Sequence, residues 1–594
     1  MNTSFYYTLI FFILVLFSCS SDQSNLSTEE RPNVILIMTD DQGYGDLGVT
    51  GNPIIRTPNL DAMANESAKM NNFYVSPVCA PTRASLMTGR YNYRTGVVGT
   101  FLGRAMMAPE EITIAEIMQS EGYATAIFGK WHLGDNYPMR PQEQGFDEVL
   151  VHKGGGIGQE SDPPDGEGKY TDPTLFHNGK QVQEKGYCTD IYFNKAVEWI
   201  KKTTDQDKNF FLYLSTNTPH SPFEDIPKEL YNEYKSMNLS NDQFPQNFGH
   251  PLLSDSDTDR RARIYAMITN IDDNVGMLFH KLDELKLSKN TLVIFMVDNG
   301  PNGRRYVAGM KGKKTEVYEG GIRSPLFLHW PDKLDPSMIS DKISAHIDIF
   351  PTILDACGIA EPNNIEIDGR SILPLLIKRN VSWPDRNLIL QAHRSNIPQL
   401  YNNFAIRNQR WKLLHANGFF QEQFTGKPKF ELYDMLNDNL EMKDVATENL
   451  QIVKELKKAY ETWFNDVSNT KPNNYIPLNI CIGTEYENPV VLTRQDWRQI
   501  EKSPWLKEAT GFWLLHSEAE ALYDIRVRFN YPHSNASVVL DIDETIYEKQ
   551  ISSEQSEVLF QNVTINSGDH KLSANLIENN DNKSGAWQVD VIKN

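Results

Sequence analysis

The chain has 594 residues, of which 40% are hydrophobic and 23% charged, with a formal net charge of −20. This describes a globular protein long enough for two to four domains and a large buried core. Nucleic-acid phosphates are gripped by basic faces, so the acidic excess argues against a nucleic-acid partner, and any anionic substrate needs a local basic patch within this field.

At the N-terminus, Phe5 to Phe17 is an apolar run of about a dozen residues, too short to span a bilayer and suited to a signal-peptide core. It ends in Leu16-Phe17-Ser18-Cys19, which resembles the bacterial lipoprotein cleavage box, where the cysteine is lipidated. The leading MNTSFYY lacks the Lys or Arg expected before such a core, which leaves a plain secretory signal as the alternative. Both readings predict an exported protein: a membrane-anchored lipoprotein in the periplasm or at the outer cell surface, or a soluble periplasmic or secreted one. Residues 1–19 are then the signal peptide and 20–30 a polar tether, with membrane contact only through a lipid on Cys19.

Four apolar runs follow, each ending in polar residues. Asn33 to Met38 leads into Thr39-Asp40-Asp41, and Ala124 to Phe128 into Gly129-Lys130-Trp131-His132. Phe210 to Ser215 leads into Thr218-Pro219-His220, and Thr291 to Val297 into Asp298-Asn299-Gly300. Such short continuous runs predict strands buried on both faces. Helical patterns lie between them at Asn59 to Met70, Ile114 to Glu121 and Ile264 to Leu285. The alternation predicts an α/β fold with a large, mostly parallel mixed sheet flanked by helices. Ligands of such sheets bind beyond the carboxyl ends of the strands, so the four polar clusters are expected on one rim.

Between the first two runs lies VCAPTRASLMTGR. Pro81 fits the first turn of a helix and Gly89 its far end, which places Cys79 at a helix N-terminus, where free N–H groups favour an anion. A buried structural thiol is the alternative for a lone cysteine. Cys79 is one of five cysteines (with Cys19, Cys188, Cys357 and Cys481) that form neither a disulfide framework nor a zinc-type spacing. Asp40, Asp41, Asp298 and Asn299 are hard oxygen ligands, which favours calcium or magnesium over zinc. The segment Asn302 to Lys314 carries Arg304, Arg305, Lys311, Lys313 and Lys314 without an acid, and offers an anion-recognition rim or simply an exposed basic loop.

Downstream, FAIRNQRWKLLH and KFELYDML read as strands of a small antiparallel sheet and Leu450 to Phe464 as a closing helix. After about Glu485, segments such as LYDIRVRFNY, ASVVLDID and AWQVDVIKN alternate apolar and polar residues, the pattern of an antiparallel β-sandwich. The expected organisation is a main domain over 31–375, an α+β subdomain over 376–480 and an appended β domain over 485–594. The last resembles small β domains of bacterial carbohydrate-active enzymes, with carbohydrate binding or bracing of the main domain as its two roles.

The Cys-x-Pro-x-Arg pattern at Cys79, Pro81 and Arg83, closing in Thr88-Gly89, resembles the signature of the formylglycine-dependent sulfatases of the alkaline phosphatase superfamily, in particular the bacterial polysaccharide sulfatases. TPNLDAMA, GKWHLG, GFDE, YEGGIRSP, IFPTILDACGI, DGRSILPLL and ELYDMLNDNLEMKDVA extend the resemblance from about Arg31 to about Ala446. It implies an alkaline phosphatase-like fold and a Cys79 that a sulfatase-maturing enzyme oxidises to formylglycine, whose hydrate attacks sulfur. It implies one Ca²⁺ held by Asp40, Asp41, Asp298 and Asn299 and touching the Cys79 derivative. Arg83 would hydrogen-bond that derivative, Asp298 would be the first base, and His132 would take the second proton. Lys130 and Lys314 would bind sulfate oxygens, and His220 would protonate the leaving alcohol. Lys314 matches the family lysine four residues before Tyr318-Glu319-Gly320-Gly321, although Lys313 stands where the family has glycine. The implied reaction is hydrolysis of sulfate esters on a sulfated polysaccharide or its oligosaccharides. The alternatives are a phosphonate monoester or phosphodiester hydrolase of the same superfamily, and a catalytically silent glycan-binding lipoprotein.

Overall fold

The computed structural model describes residues 31–594 apart from 160–161, 163–167, 246–247, 253–256, 379–380, 471–474, 476, 502–505, 507 and 579–581. The expected signal segment, Cys19 and the tether lie outside the described residues. Among the described residues no helix is long and apolar enough to cross a membrane.

The apolar runs become the centre of a large sheet. In chain order the first elements are β1 (Asn33–Thr39), α1 (Pro58–Asn65), β2 (Ala68–Tyr74), α2 (Cys79–Thr88), α3 (Ile114–Ser120), β3 (Ala124–Lys130) and β4 (Glu148–His152). There follow β5 (Thr174–His177), β6 (Lys180–Gln183), α4 (Cys188–Thr204), β7 (Phe210–Ser215), α5 (Lys228–Lys235), α6 (Thr258–Glu284) and β8 (Thr291–Val297). The domain closes with α7 (Glu319–Ile322), β9 (Arg323–Ser324), β10 (Leu326–His329), β11 (Ile339–Ala345) and α8 (Ile349–Ala356).

The strand order is β11-β2-β10-β8-β1-β7-β3-β4-β5-β6, with β9 paired to β2. The four strands read from sequence are neighbours, β8-β1-β7-β3, and run parallel. Their register aligns Thr39 with Val297, Met38 with Ser215, and Gly129 with Ser215, so they finish at one level. Every residue of β1, β7 and β8 is buried, because apolar clusters cover both faces of the sheet.

One predicted helix is corrected. The pattern over Asn59 to Met70 is helical only to Asn65, and Ala68 to Tyr74 is the strand β2. Ala68 and Met70 are buried with Lys69 between them less so, a spacing of two that merges with a helical spacing when read in a single window. Conversely, α6 begins at Thr258, ahead of the predicted Ile264, with the Asp257 side chain accepting from the Arg260 N–H as its cap.

The C-terminal subdomain is a sheet of Leu388–Gln391, Phe404–Arg407, Trp411–His415 and Glu431–Asp434, antiparallel throughout, with the helix Leu450–Ser468 packed on it. The same apolar cluster takes in Tyr74 and Ile343, so the subdomain sits against the β2/β11 edge of the main sheet. The last region is a two-sheet β-sandwich that opens with Ile480–Ile482, a few residues ahead of the expected 485. Its core joins Trp497, Trp513, Leu515, Val527 and Leu540 to Phe101, Leu102, Met106 and Met139 of the main domain.

Candidate active site

Asp40 and Asp41 follow β1, and Asp298 and Asn299 follow β8, so the parallel pairing of these strands brings the four together. All four are completely buried. The Asp41 backbone N–H donates to Asp298 Oδ1 at 3.1 Å, and Asn299 Nδ2 donates to Asp41 Oδ1 at 2.9 Å. Cys79 is the first residue of α2, preceded by extended Val78, and α2 ends at Gly89 in the left-handed conformation (φ 68°). One ligand atom each from Asp40, Cys79 and Asp298 lie within 4.8 Å of one another.

Three oxygens of this cluster, Asp40 Oδ1, Asp41 Oδ2 and Asn299 Oδ1, are buried with no hydrogen-bond donor. Leaving buried acceptors unsatisfied costs about 1–3 kcal/mol each. Burial, then the neighbouring Asp40, pushes the Asp298 carboxyl up to about 7. A cluster of buried carboxylates that retains three unsatisfied oxygens, with one carboxylate destabilised by another, fits a hard cation. The residues present therefore suit a calcium or magnesium ion.

The cationic residues surround this cluster. Arg83, one turn along α2, is fully buried; it donates to Asp298 Oδ2 at 2.8 Å, Ser215 Oγ at 2.6 Å and the Lys130 carbonyl at 2.9 Å. Lys130 Nζ lies 2.6 Å from Asp40 Oδ2, and Lys314 Nζ lies 2.6 Å from Asp41 Oδ1. Burial opposes the charge on Asp41, yet Lys314 and His220 hold its carboxyl well below the usual range. Burial raises the Cys79 thiol, against the pull of Lys130 and Lys314.

His132 follows β3 with φ 63°, a left-handed residue that supplies the bend needed for Lys130 and His132 to face one site. Its Nε2 is 2.7 Å from the Thr100 carbonyl. A carbonyl only accepts, so Nε2 carries the proton, and Nδ1, buried and without a partner, is the acceptor. His220 Nδ1 likewise donates to the Ser221 carbonyl at 2.7 Å, which leaves Nε2 facing Asp41 Oδ2 at 3.5 Å. Burial lowers both imidazoles, His220 to about 4.

The basic segment does not act as one rim. Arg305 is buried and turned inward, its Nε at 2.7 Å from Asp46 Oδ2 and its Nη2 donating to the Asp41 carbonyl at 2.8 Å. That removes it from substrate recognition, because its fork is consumed in fixing the end of β1. Arg304 is exposed, and Lys311 lies 3.7 Å over the Tyr318 ring. His393 is buried and accepts from the Gln399 N–H, whereas Arg394 lies between the Phe101 and Phe420 rings at 4.7 and 4.6 Å.

Some neighbours of the site carry little sequence signal. Ser215 and Thr100 act through single oxygens on Arg83 and His132. The run Gly154-Gly155-Gly156 is more legible: a Cβ on Gly155 would come within 2.9 Å of His132 Nε2, and one on Gly156 within 2.9 Å of His220. Consecutive glycines after a strand mark such a close approach.

Residues 32–359 match the family model Sulfatase, and residues 311–465 match that of the N-sulphoglucosamine sulphohydrolase C-terminal region. The chain is 31% identical over 379 residues to N-acetylgalactosamine-6-sulfatase of Canis lupus familiaris, covering 59% of this chain and 66% of that protein. It is 25% identical over 538 residues to N-acetylglucosamine-6-O-sulfatase of Bacteroides thetaiotaomicron, covering 75% of this chain and 90% of that one. Among solved structures it resembles Ps i-CgsB in complex with k-i-k-neocarrahexaose at 29% identity and a TM-score of 0.62, over 74% of this chain and 94% of that chain. With the matched model spanning more than half of its length and the alkaline phosphatase-like sheet carrying the Cys79 helix, the chain belongs to the sulfatase family of sulfuric ester hydrolases.

Proposed function

We propose that the protein hydrolyses sulfate esters on a sulfated polysaccharide or its oligosaccharides, once a sulfatase-maturing enzyme has oxidised Cys79 to formylglycine and with one calcium ion held by Asp40, Asp41, Asp298 and Asn299. The observation that carries this reading is the meeting of Cys79, at a helix N-terminus, with unsatisfied buried oxygens inside a ring of cations. The relatives support the substrate class: two are named for sulfated amino sugars, and a third binds a carrageenan-type oligosaccharide. Formylglycine at position 79 would supply the attacking hydroxyl and a route to shed sulfate, and calcium a positive charge beside the reacting oxygens.

The chain's own residues do the remaining work. Arg83, locked to Asp298, Ser215 and the Lys130 carbonyl, fixes the first turn of α2 against the carboxylates. Asp298, beside Cys79 and with its Oδ2 held by Arg83, takes the proton of the attacking hydroxyl. Lys130 and Lys314 act on the charge at position 79 and hold the sulfate oxygens, and such preorganised charge is commonly the largest catalytic contribution. His220 gives a proton from Nε2 to the departing alcohol, since an anionic sulfate ester beside it raises its proton affinity from the low value that burial imposes. His132, neutral and with Nδ1 as acceptor, takes the last proton.

The test combines peptide mass at Cys79 in an active preparation with sulfate release from sulfated polysaccharides and matched phosphodiesters. An aldehyde mass at position 79 and sulfate release from sulfated glycans are expected. An unmodified thiol in a fully active enzyme, or better turnover of the phosphodiesters, would sink the reading. Export and lipid attachment at Cys19 form part of the same proposal, supported by the apolar run before it. A Cys19→Ala variant that still partitions with the membrane would remove the anchor.

A further inference from the structure

The connection between α2 and α3 carries Thr100, and the β-sandwich grips it. The Thr100 carbonyl receives two donors: His132 Nε2 at 2.7 Å, and Gln495 Nε2 of the sandwich at 2.8 Å. Three residues on, the Gly103 N–H donates to the Gln495 carbonyl at 3.0 Å, and Arg498 Nη2 donates to the Gly103 carbonyl at 3.2 Å. Gly103 has φ 63°, and a Cβ there would lie 3.1 Å from both the Asp496 carbonyl oxygen and Arg498 Nε, so the two segments run in direct contact. Phe101, Leu102 and Met106 are buried in the same apolar cluster as Trp497 and Trp513.

A carbonyl oxygen has two lone pairs, and here both are used. The donor from Gln495 therefore sets the direction in which the remaining lone pair meets His132. His132 also occupies a left-handed backbone conformation that non-glycine residues adopt at some cost, which turns its ring toward this carbonyl's segment rather than along β3.

We propose that the appended β domain is a working part of the active site: Gln495 is a positioning residue that, through the Thr100 carbonyl, holds His132 in one orientation with Nε2 protonated and Nδ1 free to accept. The domain need not bind carbohydrate for its loss to affect turnover. The catalytic consequence rests on the reading of His132 as a proton acceptor, whereas the structural coupling does not.

The experiment uses the full-length matured enzyme and the substitutions Gln495→Met and Gln495→Glu, which keep size and remove the donor, with Gln495→Asn, one methylene shorter, where those do not fold. Lys549→Ala, which loosens a surface contact of the same domain, is the control. Three readouts are taken: amide hydrogen exchange over residues 97–104, the His132 Nε2–H resonance in ¹⁵N-histidine-labelled protein (assigned by its loss in His132→Phe), and the separate values of kcat and KM. The Gln495 variants should speed exchange over 97–104 and broaden the imidazole N–H. They should also lower kcat about two- to tenfold, the scale of one net hydrogen bond, with KM little changed. Lys549→Ala should leave all three alone. Wild-type exchange, resonance and kcat in the Gln495 variants would overturn the proposal. Full activity in His132→Phe would instead remove His132 as the acceptor, while the exchange and resonance data still decide the coupling.

Discussion

The two halves of the site are built on different supports. Asp40, Asp41, Lys130, Asp298 and Asn299 stand at the ends of β1, β3 and β8, where the ladders between the buried central strands fix the backbone. His132, His220 and Lys314 stand on connections. The His132 ring is anchored by the Thr100 carbonyl of another segment and the His220 ring by the carbonyl of the adjacent Ser221, while Lys314 is held by the Pro301 carbonyl at its amide and by Asp41 at its Nζ. The comparison teaches that the proposed metal ligands and the first base, Asp298, stand on the rigid rim, with Cys79 held beside Asp40 and Asp298 at the start of α2. The two histidines are set by backbone carbonyls instead, and His132 in particular depends on a part of the chain distant in sequence.

The rim should show the largest effect and be blind to the leaving group. Cys79→Ala is expected to lower turnover on the order of 10⁶-fold, the scale seen when a covalent nucleophile is removed. The loss should be equal for sugar sulfates and activated aryl sulfates, with thermal stability close to wild type. Measured turnover of both substrates checks this, and substantial residual activity would displace Cys79 from the reaction. Asp298→Asn should fail equally and also weaken calcium binding. In the unsubstituted protein, calcium at 100 times its dissociation constant should add about 2.7 kcal/mol to stability. Calorimetric melting with calcium and after chelation measures that gain, and a melting curve indifferent to calcium would take the ion out of the cluster.

On the loop side the effect should be smaller and should depend on the leaving group. Replacing His220 by Ala is expected to cost about 10²–10⁴-fold on a sugar sulfate, the usual worth of general-acid help. A nitrophenolate leaves without a proton, so an aryl sulfate should suffer far less. Losses of equal size on both substrates would place His220 among the sulfate-binding residues and erase this side of the comparison.

The sequence makes the rim legible and the loops much less so, for a physical reason. A strand buried on both faces must be apolar along its whole length, and Val34 to Met38 or Leu292 to Val297 declare that without help from the rest of the chain. An aspartate pair at the end of such a run then stands out. Thr100 acts on His132 through a backbone oxygen, which leaves no trace in residue type. Gln495 lies 395 residues from the carbonyl it holds, in a domain whose own pattern announces only a sandwich. Ala68 and Met70 show a related limit, since two buried positions fit a strand and the tail of α1 equally well until the pairing of β2 with β10 and β11 decides.

Arg304 and Arg305 bring the comparison down to adjacent residues. By charge they are equivalent, yet the structure sends one to each half. Arg305 is buried against Asp46 and the Asp41 carbonyl, a prop of the rim, whereas Arg304 is exposed on the basic loop together with Lys313, which is partly so. Removing one partner of a buried ion pair leaves the other charge unpaired and desolvated, which costs about 3–5 kcal/mol. Arg305→Met should therefore lower the melting temperature clearly, and weaken activity on every substrate by releasing the Asp41 carbonyl. Arg304→Glu should leave melting and aryl sulfate turnover unchanged. Its one expected effect is a rise in KM for a polysulfated chain, of a few fold and diminishing with salt, because exposed charges are screened beyond about 10 Å at 0.1 M salt. Added salt should erase the Arg304 effect and leave the Arg305 defect in place, since a buried pair is screened far less. A polymer KM indifferent to Arg304→Glu at low salt would show that the exposed half of the segment has no part in recognition, and that the segment's contribution to the site is the buried prop on Asp41 together with Lys314.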